Sequence, residues 1–331
     1  MSWSKPGSRT VSVASSAGVS GDVCTRPSPR PGGLPLDPMF SALKVEWLLD
    51  TYDKNRSLAC AGRLAVGTID SWLVYSLTGE HRIELENASR TQLLNLGTLD
   101  CYDAVLDLFN TQESSVNRAA DGVVCTIAWG TPEPMYAFEG TILSTGSTLV
   151  WLANLLDLEP SRLSELAQLV DDSQGVDLVP AFAGLGAPWW DEQAAATISG
   201  FGLGTGRAQL ARAAFESTVL QTEDVIVAAE RHLGMRIQDV LVDGGPTQNS
   251  WLMQLQADLS QRAVIRSNTV ELSAIGVAHL AGISSGLWNE QDVAKLPRDR
   301  TTFQPAIPEQ DAVDRQLRWL NAIARSRFQT S

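Results

Sequence analysis

Two strand-to-helix junctions in the 331-residue chain place glycine where a phosphate or a flat ring could approach. Gly146 opens a helical pattern, and the unpaired amides and dipole of a helix N-terminus favour an anion. Gly244 and Gly245 follow the strand pattern Asp239–Val242 and precede a helix beginning near Asn249, so the backbone there could come within van der Waals distance of a planar ligand. A glycine pair after a strand is also ordinary turn chemistry. The run Gly200, Gly202, Gly204, Gly206 fits neither Gly-x-Gly-x-x-Gly nor a Walker loop, and reads as a turn or hairpin. Trp189-Trp190-Asp191 stands in a Gly/Pro loop, where paired indoles either wall a pocket or anchor a packed loop. Asp191 and Glu192 read as solvated.

Other chemistries find little support. Cys24, Cys60, Cys101 and Cys125 are far apart, form no Cys-x-x-Cys and have no histidine nearby, which argues against zinc and for reduced thiols. His81, His232 and His279 lie on separate segments. There is no His-Glu-x-x-His and no Gly-x-Ser-x-Gly. The residue pattern therefore predicts no metal ligands.

The elements that must position these glycines alternate between strand and helix after a polar stretch from Asn110 to Asp121. Strands are expected at Val123 to Trp129, Tyr136 to Leu143, Val176 to Phe182, Asp239 to Val242 and Ala263 to Arg266. Helices are expected at Ser147 to Leu156, Pro160 to Val170, Arg207 to His232, Asn249 to Ser260 and Glu271 to Ser285. This rhythm predicts an α/β domain whose ligands bind at the carboxyl ends of strands. Upstream, helices are expected at Ser41 to Asp50 and Ile69 to Leu77, with a further helical stretch from about Asn87 through Leu108.

Composition bounds the rest. At roughly 150 residues per domain the length favours two domains. With 25 Lys and Arg against 38 Asp and Glu, the net charge of −13 opposes nucleic-acid backbones, which are bound mostly by cations. Hydrophobic residues make up 44% of the chain, enough for a core, and no apolar stretch reaches membrane-spanning length. Residues 1–33 hold 17 Ser, Pro or Gly and four basic residues against one acidic, and read as a disordered leader. Without a secretory apolar core the chain is expected in the cytoplasm.

The motifs gain meaning from their order. Asp37-Pro38-Met39-Phe40-Ser41, Gly67-Thr68-Ile69-Asp70-Ser71-Trp72-Leu73, Asn87 to Thr91, Tyr136-Ala137-Phe138-Glu139-Gly140, Gly184 to Asp191, Val242-Asp243-Gly244-Gly245, Asn249 and Glu271 to Gly276 follow one another along the chain. This set resembles the FGGY family of carbohydrate kinases, and its glycerol kinases most closely, from Gly33 to about Trp288.

The resemblance implies an actin-like ATPase (ribonuclease H-like) fold of two α/β domains closing on ATP, with Mg2+, and on a small polyol or sugar. By position, Gly146, Gly244, Gly245 and Asn249 would contact the nucleotide, and Met39 and Phe40 would line the substrate pocket. The implied division is a leader at 1–33, a remnant N-terminal domain at 34–116, a nearly complete C-terminal domain at 117–301 and a helical tail at 302–331. Three positions depart from the glycerol-kinase pattern: Met39 replaces a tyrosine, Val150 a glutamine, and Ala195-Ala196 an Arg-Gly pair.

The resemblance also points to missing parts. The family's N-terminal Asp-x-Gly-Thr turn has no counterpart in residues 1–33. Its long segment with the general-base Gly-Asp and a Tyr-Gly-Thr-Gly phosphate loop is skipped between Asn110 and Ser114, and Gly21-Asp22 is the sole Gly-Asp pair. No catalytic residue is therefore assigned, and impaired phosphoryl transfer is expected. Loss of a general base alone costs about 10²–10⁴ in rate, and loss of phosphate clamps removes most of the remaining catalysis. Removing part of the N-terminal domain should also bare apolar helix faces. The rival readings are a non-catalytic nucleotide- or partner-binding module and a pseudogene product. The oligomeric state is left open, a homo-oligomer included.

Overall fold

The computed structural model describes residues 9–13, 34, 40–55, 57–60, 67–96, 99–101, 122–130, 134–269 and 271–327. The chain forms two compact units. One comprises Thr10–Gly140 with Arg231–Gly234, and the other Thr141–Glu230 with Met235–Ser331 and Met1–Arg9.

In the first unit, the strand β1 (Arg9–Val13) lies within the segment expected to be disordered. Its Arg-Thr-Val-Ser-Val alternation suits an extended edge strand. Then come the helices α1 (Ser41–Tyr52), α2 (Ser57–Cys60), α3 (Ile69–Thr78) and α4 (Leu85–Ser89), followed by the short strands β2 (Leu94–Asn95) and β3 (Asp100–Cys101). The long strands β4 (Val124–Gly130) and β5 (Pro134–Ile142) pair antiparallel and complete a sheet of order β1-β5-β4. Helix α3 stops where Gly79 turns left-handed at φ 76° and its amide bonds the Tyr75 carbonyl. Helix α4 starts where the Glu84 carboxylate accepts the amides of Glu86 and Asn87.

The sequence pattern predicts a helix continuing past Asn87. The structure instead ends α4 at Ser89 and forms the β2–β3 hairpin, in which Leu94 faces Cys101. Leu94 and Leu96 drop into a small core with Ala88 and Ile127, and that burial outweighs helical continuation. Residues 102–108, the rest of the expected helical stretch, lie outside the described residues.

The same small core explains where the units divide. Ile127 of β4 is fully buried among α4 and β2 residues, and the Thr126 hydroxyl meets the Ser89 hydroxyl at 3.0 Å. The β4–β5 hairpin thus belongs with the N-terminal elements. The division between the units falls at Gly140/Thr141.

The second unit contains the helices α5 (Gly146–Leu155) and α6 (Pro160–Ala167), the hairpin of β6 (Asp177–Val179) and β7 (Thr197–Ser199), and the 27-residue helix α7 (Arg207–Leu233) up to Glu230, its last turn falling in the first unit. It continues through β8 (Asp239–Val242), α8 (Ser250–Ser260), β9 (Ala263–Ser267), α9 (Leu272–Ser284), α10 (Glu290–Ala294), β10 (Arg300–Phe303) and α11 (Glu309–Arg327). Strands β8 and β9 are parallel with α8 as their crossover, and β10 joins β9 antiparallel, giving the order β10-β9-β8.

Helix α7 is the core of this unit. Ala211, Ala213, Ala214 and Ser217 are buried with essentially no exposure, small enough for neighbouring elements to approach closely. Leu178, Leu252, Leu255, Trp319 and Ile323 pack into the same cluster. Three acidic residues of α7 are buried as well, and each has a matched partner. Glu216 accepts from Arg315 at 2.6 Å and from Arg212 at 2.8 Å. Glu223 meets Arg262 at 2.7 Å, and Asp224 accepts two indole N–H groups.

Candidate functional site

The two glycine junctions both lie in the second unit. At the first, β5 ends at Ile142 and α5 begins at Gly146, with Thr145 as N-cap making no side-chain capping bond. The first-turn amides of such a helix have no intrahelical acceptor. Among the described residues a methyl group at Gly146 would meet nothing within 4 Å, so none of them demands glycine there. The hydroxyls of Thr145 and Thr148 are buried and, among the described residues, have no hydrogen-bond partner. An open backbone flanked by two unused hydroxyls suits a phosphate or ribose oxygen. Val150 lies further along α5 and is half exposed.

At the second junction, β8 leads through Asp243 into Gly244 at φ 91° and ψ 170°, a backbone region open essentially to glycine alone. A 3-10 turn, Gly245–Gln248, follows, and Asn249 caps α8 by accepting the Leu252 amide at 3.1 Å. Gly245, like Gly146, has open space where a side chain would stand. The Asn249 amide nitrogen donates to the Ser164 hydroxyl of α6 at 2.9 Å, so its oxygen and nitrogen both have intramolecular work. Arg266, at the carboxyl end of β9 and paired in register with Val242, donates to the Thr247 carbonyl at 3.1 Å and to the Ser250 hydroxyl at 3.2 Å.

Sequence reading missed Thr145, Thr148, Ser164 and Arg266. Only Arg266 carried a signal, since a cation ending a strand parallel to the one that feeds the glycine loop must lie near that loop.

The substrate-side candidates fall differently. Phe40 is buried in the first unit at the start of α1, whereas Met39 lies outside the described residues. Among the described residues no group of three or more His, Cys, Asp or Glu side chains could hold a metal ion.

The Trp189–Trp190 loop is an anchor. The Trp189 indole donates to Asp224 at 3.2 Å, Trp190 is buried, and Gly184 and Gly186 lie so close to the Asp191 and Thr141 carbonyls that a methyl on either would collide. Asp191, read from sequence as solvated, instead accepts the amides of Gln193 and Ala194 and pairs with Arg327 at 2.8 Å. Burial works against its charge, but the bond from Arg327 and the two amides hold its carboxyl below the usual carboxylate value. The glycine run is a turn: Gly200, at φ 75°, sits against the Gly175 carbonyl, and the Gly202 amide bonds the Thr205 hydroxyl. His232 stacks edge-on against Phe138 and His279 against Trp288.

Comparison with known proteins gives this geometry its context. Residues 25–121 match the N-terminal domain of the FGGY family of carbohydrate kinases, and residues 105–285 match its C-terminal domain. Glycerol kinases of Deinococcus radiodurans and Thermococcus kodakarensis are each 33% identical to this chain. The matches cover 89% of it and, respectively, 73% and 72% of the relatives. Among solved structures, a Plasmodium falciparum glycerol kinase with ADP superposes with a TM-score of 0.77 at 23% identity, covering 90% of this chain and 74% of that one. A xylulose kinase from Lactobacillus acidophilus gives 0.69 at 17%.

These likenesses define an α/β protein of the actin-like ATPase fold. The chain belongs to the FGGY family of carbohydrate kinases. It is shorter than those relatives within the matched span as well as overall. The match to the Deinococcus enzyme runs over 365 positions, more than the 331 residues this chain possesses.

Proposed function

We propose that this chain is an ATP-dependent carbohydrate kinase of glycerol-kinase type that retains the nucleotide side of the site and is impaired in phosphoryl transfer. The observation that carries the reading is the matched span. Positions present in the relatives are absent here, and by the resemblance the general-base and phosphate-loop motifs would be among those skipped between Asn110 and Ser114. The backbone at Gly146 would bind a nucleotide through helix-terminal amides, with the Thr145 and Thr148 hydroxyls as further partners. Gly244 and Gly245 would let a planar ring lie against the chain, and Asn249 would shape the floor below it. ATP, carried with Mg2+, would supply the transferred phosphoryl group. The acceptor is a small polyol or sugar, with Phe40 and Met39 on its side of the site, and the place of action is the cytoplasm.

ADP release by the purified chain tests the reading across glycerol, pentitols and ketoses. The expected rate stays at the level without acceptor; saturable, acceptor-dependent release overturns the impairment.

A second reading, a non-catalytic binding module, is favoured by the first unit's surface. Trp47, Tyr52, Ile69, Trp72 and Leu77 are all more than half exposed on α1 and α3. Under it, ATP binds without turnover and binding disappears in Gly245→Trp.

A further inference from the structure

The turn between β8 and α8 is held from two sides by residues that the family motifs do not single out. Arg266 reaches it from β9. One terminal nitrogen of its guanidinium donates to the Thr247 carbonyl, inside the 3-10 turn, and to the Ser250 hydroxyl, at the first residue of α8. Its guanidinium carbon also lies 5.4 Å from the centre of the Phe303 ring on β10, which fixes the plane from behind. Ser164 reaches the turn from α6, where its hydroxyl accepts from Asn249 and is itself approached by the Gln168 amide nitrogen at 3.3 Å.

The segment between these two holds is otherwise poorly constrained. Among the described residues a methyl group added to Gly244 or Gly245 would meet nothing within 4 Å, and the turn's own bonds are the Thr247 and Asn249 amides to the Gly244 and Pro246 carbonyls and the Thr247 hydroxyl to the Gly244 carbonyl at 2.7 Å. A turn containing two open glycines loses much backbone entropy on ordering, so external bonds decide whether it stays in one conformation.

We infer that Arg266 and Ser164 are positioning residues that clamp Gly244–Asn249 in its ligand-ready shape, so that a nucleotide binds without first ordering the turn. The inference rests on the proposed nucleotide site for its consequence and on the hydrogen bonds alone for its geometry. Each clamp acts through the turn and not by touching the ligand. Losing Arg266 removes a charged donor from two acceptors, whereas losing Ser164 frees the Asn249 amide nitrogen and leaves its capping oxygen in place.

Two measurements on the full chain separate the clamp from the nucleotide reading. Amide hydrogen exchange on the ligand-free protein should show Thr247, Asn249 and Leu252 exchanging about tenfold faster in Arg266→Ala, and less so in Ser164→Ala, with the buried amides of α7 unchanged. Titration with ADP should show affinity lowered about five- to tenfold in Arg266→Ala. Arg266→Lys, whose ammonium can still donate to both oxygens, should recover most of it at an unchanged melting temperature. Unaltered exchange at these amides in both alanine variants overturns the clamp, whatever ADP does. So does ADP binding by the parent chain that neither variant weakens. Local exchange that rises as expected in a parent chain that binds no ADP upholds the clamp and overturns the nucleotide site.

Discussion

The Asp224 carboxylate accepts the indole N–H of Trp319 at 2.8 Å, joining the middle of α7 to the middle of α11 across 95 residues of sequence. The same oxygen accepts from Trp189 at 3.2 Å, so one buried carboxylate pins the tryptophan loop and the C-terminal helix together. An apolar side chain at 224 would take the acceptor from the fully buried Trp319 indole and from the partly buried Trp189. Asp224→Leu is expected to destabilise the second unit by about 2–4 kcal/mol, read from urea unfolding followed by tryptophan fluorescence. A loss below about 0.5 kcal/mol would mean the indoles find other acceptors.

Arg262 governs a second buried cluster. It meets Glu223 at 2.7 Å and Glu230 at 2.6 Å, and its bonds to these carboxylates outweigh burial and raise its own pKa. Burial pushes the Glu223 carboxyl above its ordinary value of 4.5, with Arg262 pulling it back. A carboxyl raised in the folded state keeps its proton longer there than in the unfolded chain. Its contribution therefore falls as pH rises from 4.5 to the folded value. Arg262→Met removes the restraining cation and widens that window upward. The expected cost is about 3–5 kcal/mol at neutral pH, shrinking on acidification toward the ordinary carboxyl value. Chemical denaturation across pH checks it, and a cost independent of pH contradicts it.

Glycines 200 and 202 offer an internal comparison. Gly200 combines a positive φ with a carbonyl in the place a methyl would take, whereas Gly202 faces open space. Gly200→Ala should lower stability by about 2–4 kcal/mol and Gly202→Ala by no more than about 0.5, measured by thermal melts of the two single variants. Equal effects would show that the turn as a whole, and not its contact with Gly175, sets the cost.

The Asp191–Arg327 pair is partly exposed, so its worth is modest. Because the Asp191 carboxyl is held below its ordinary 3.8, the stabilisation is complete above that value and is lost as pH falls through the folded one. Arg327→Gln should cost under about 1 kcal/mol at neutral pH, and the difference from the parent should vanish in acid, where both carry a protonated Asp191. Parallel acid-denaturation curves for the two proteins would refute this.

What could be read from the sequence follows a physical divide. The β8 bounds Asp239–Val242, the start of α7 at Arg207 and its stop before Gly234 were legible, because periodicity and glycine at a left-handed position are local signals. The strands β7 and β10, three and four residues long, were not read from the sequence. The helix expected at Asn87 overruns α4 because Leu94 and Leu96 fit a helical pattern as well as the hairpin that buries them. Ser164 was invisible because it acts on Asn249 from 85 residues away, and no local spacing reports such a meeting, whereas Arg266 could have been found only from its place at the end of the neighbouring parallel strand.

Helix α11 gives the second unit an order of assembly. Along its length Arg315 reaches Glu216 and Asp177, Trp319 reaches Asp224, Ser326 reaches Ala195 and Arg327 reaches Asp191. Every one of these partners is synthesised long before the helix that satisfies it. During translation the emerging chain must therefore carry Glu216, Asp177 and the Asp224 carboxylate without their final partners, and the unit closes only once its last helix leaves the ribosome.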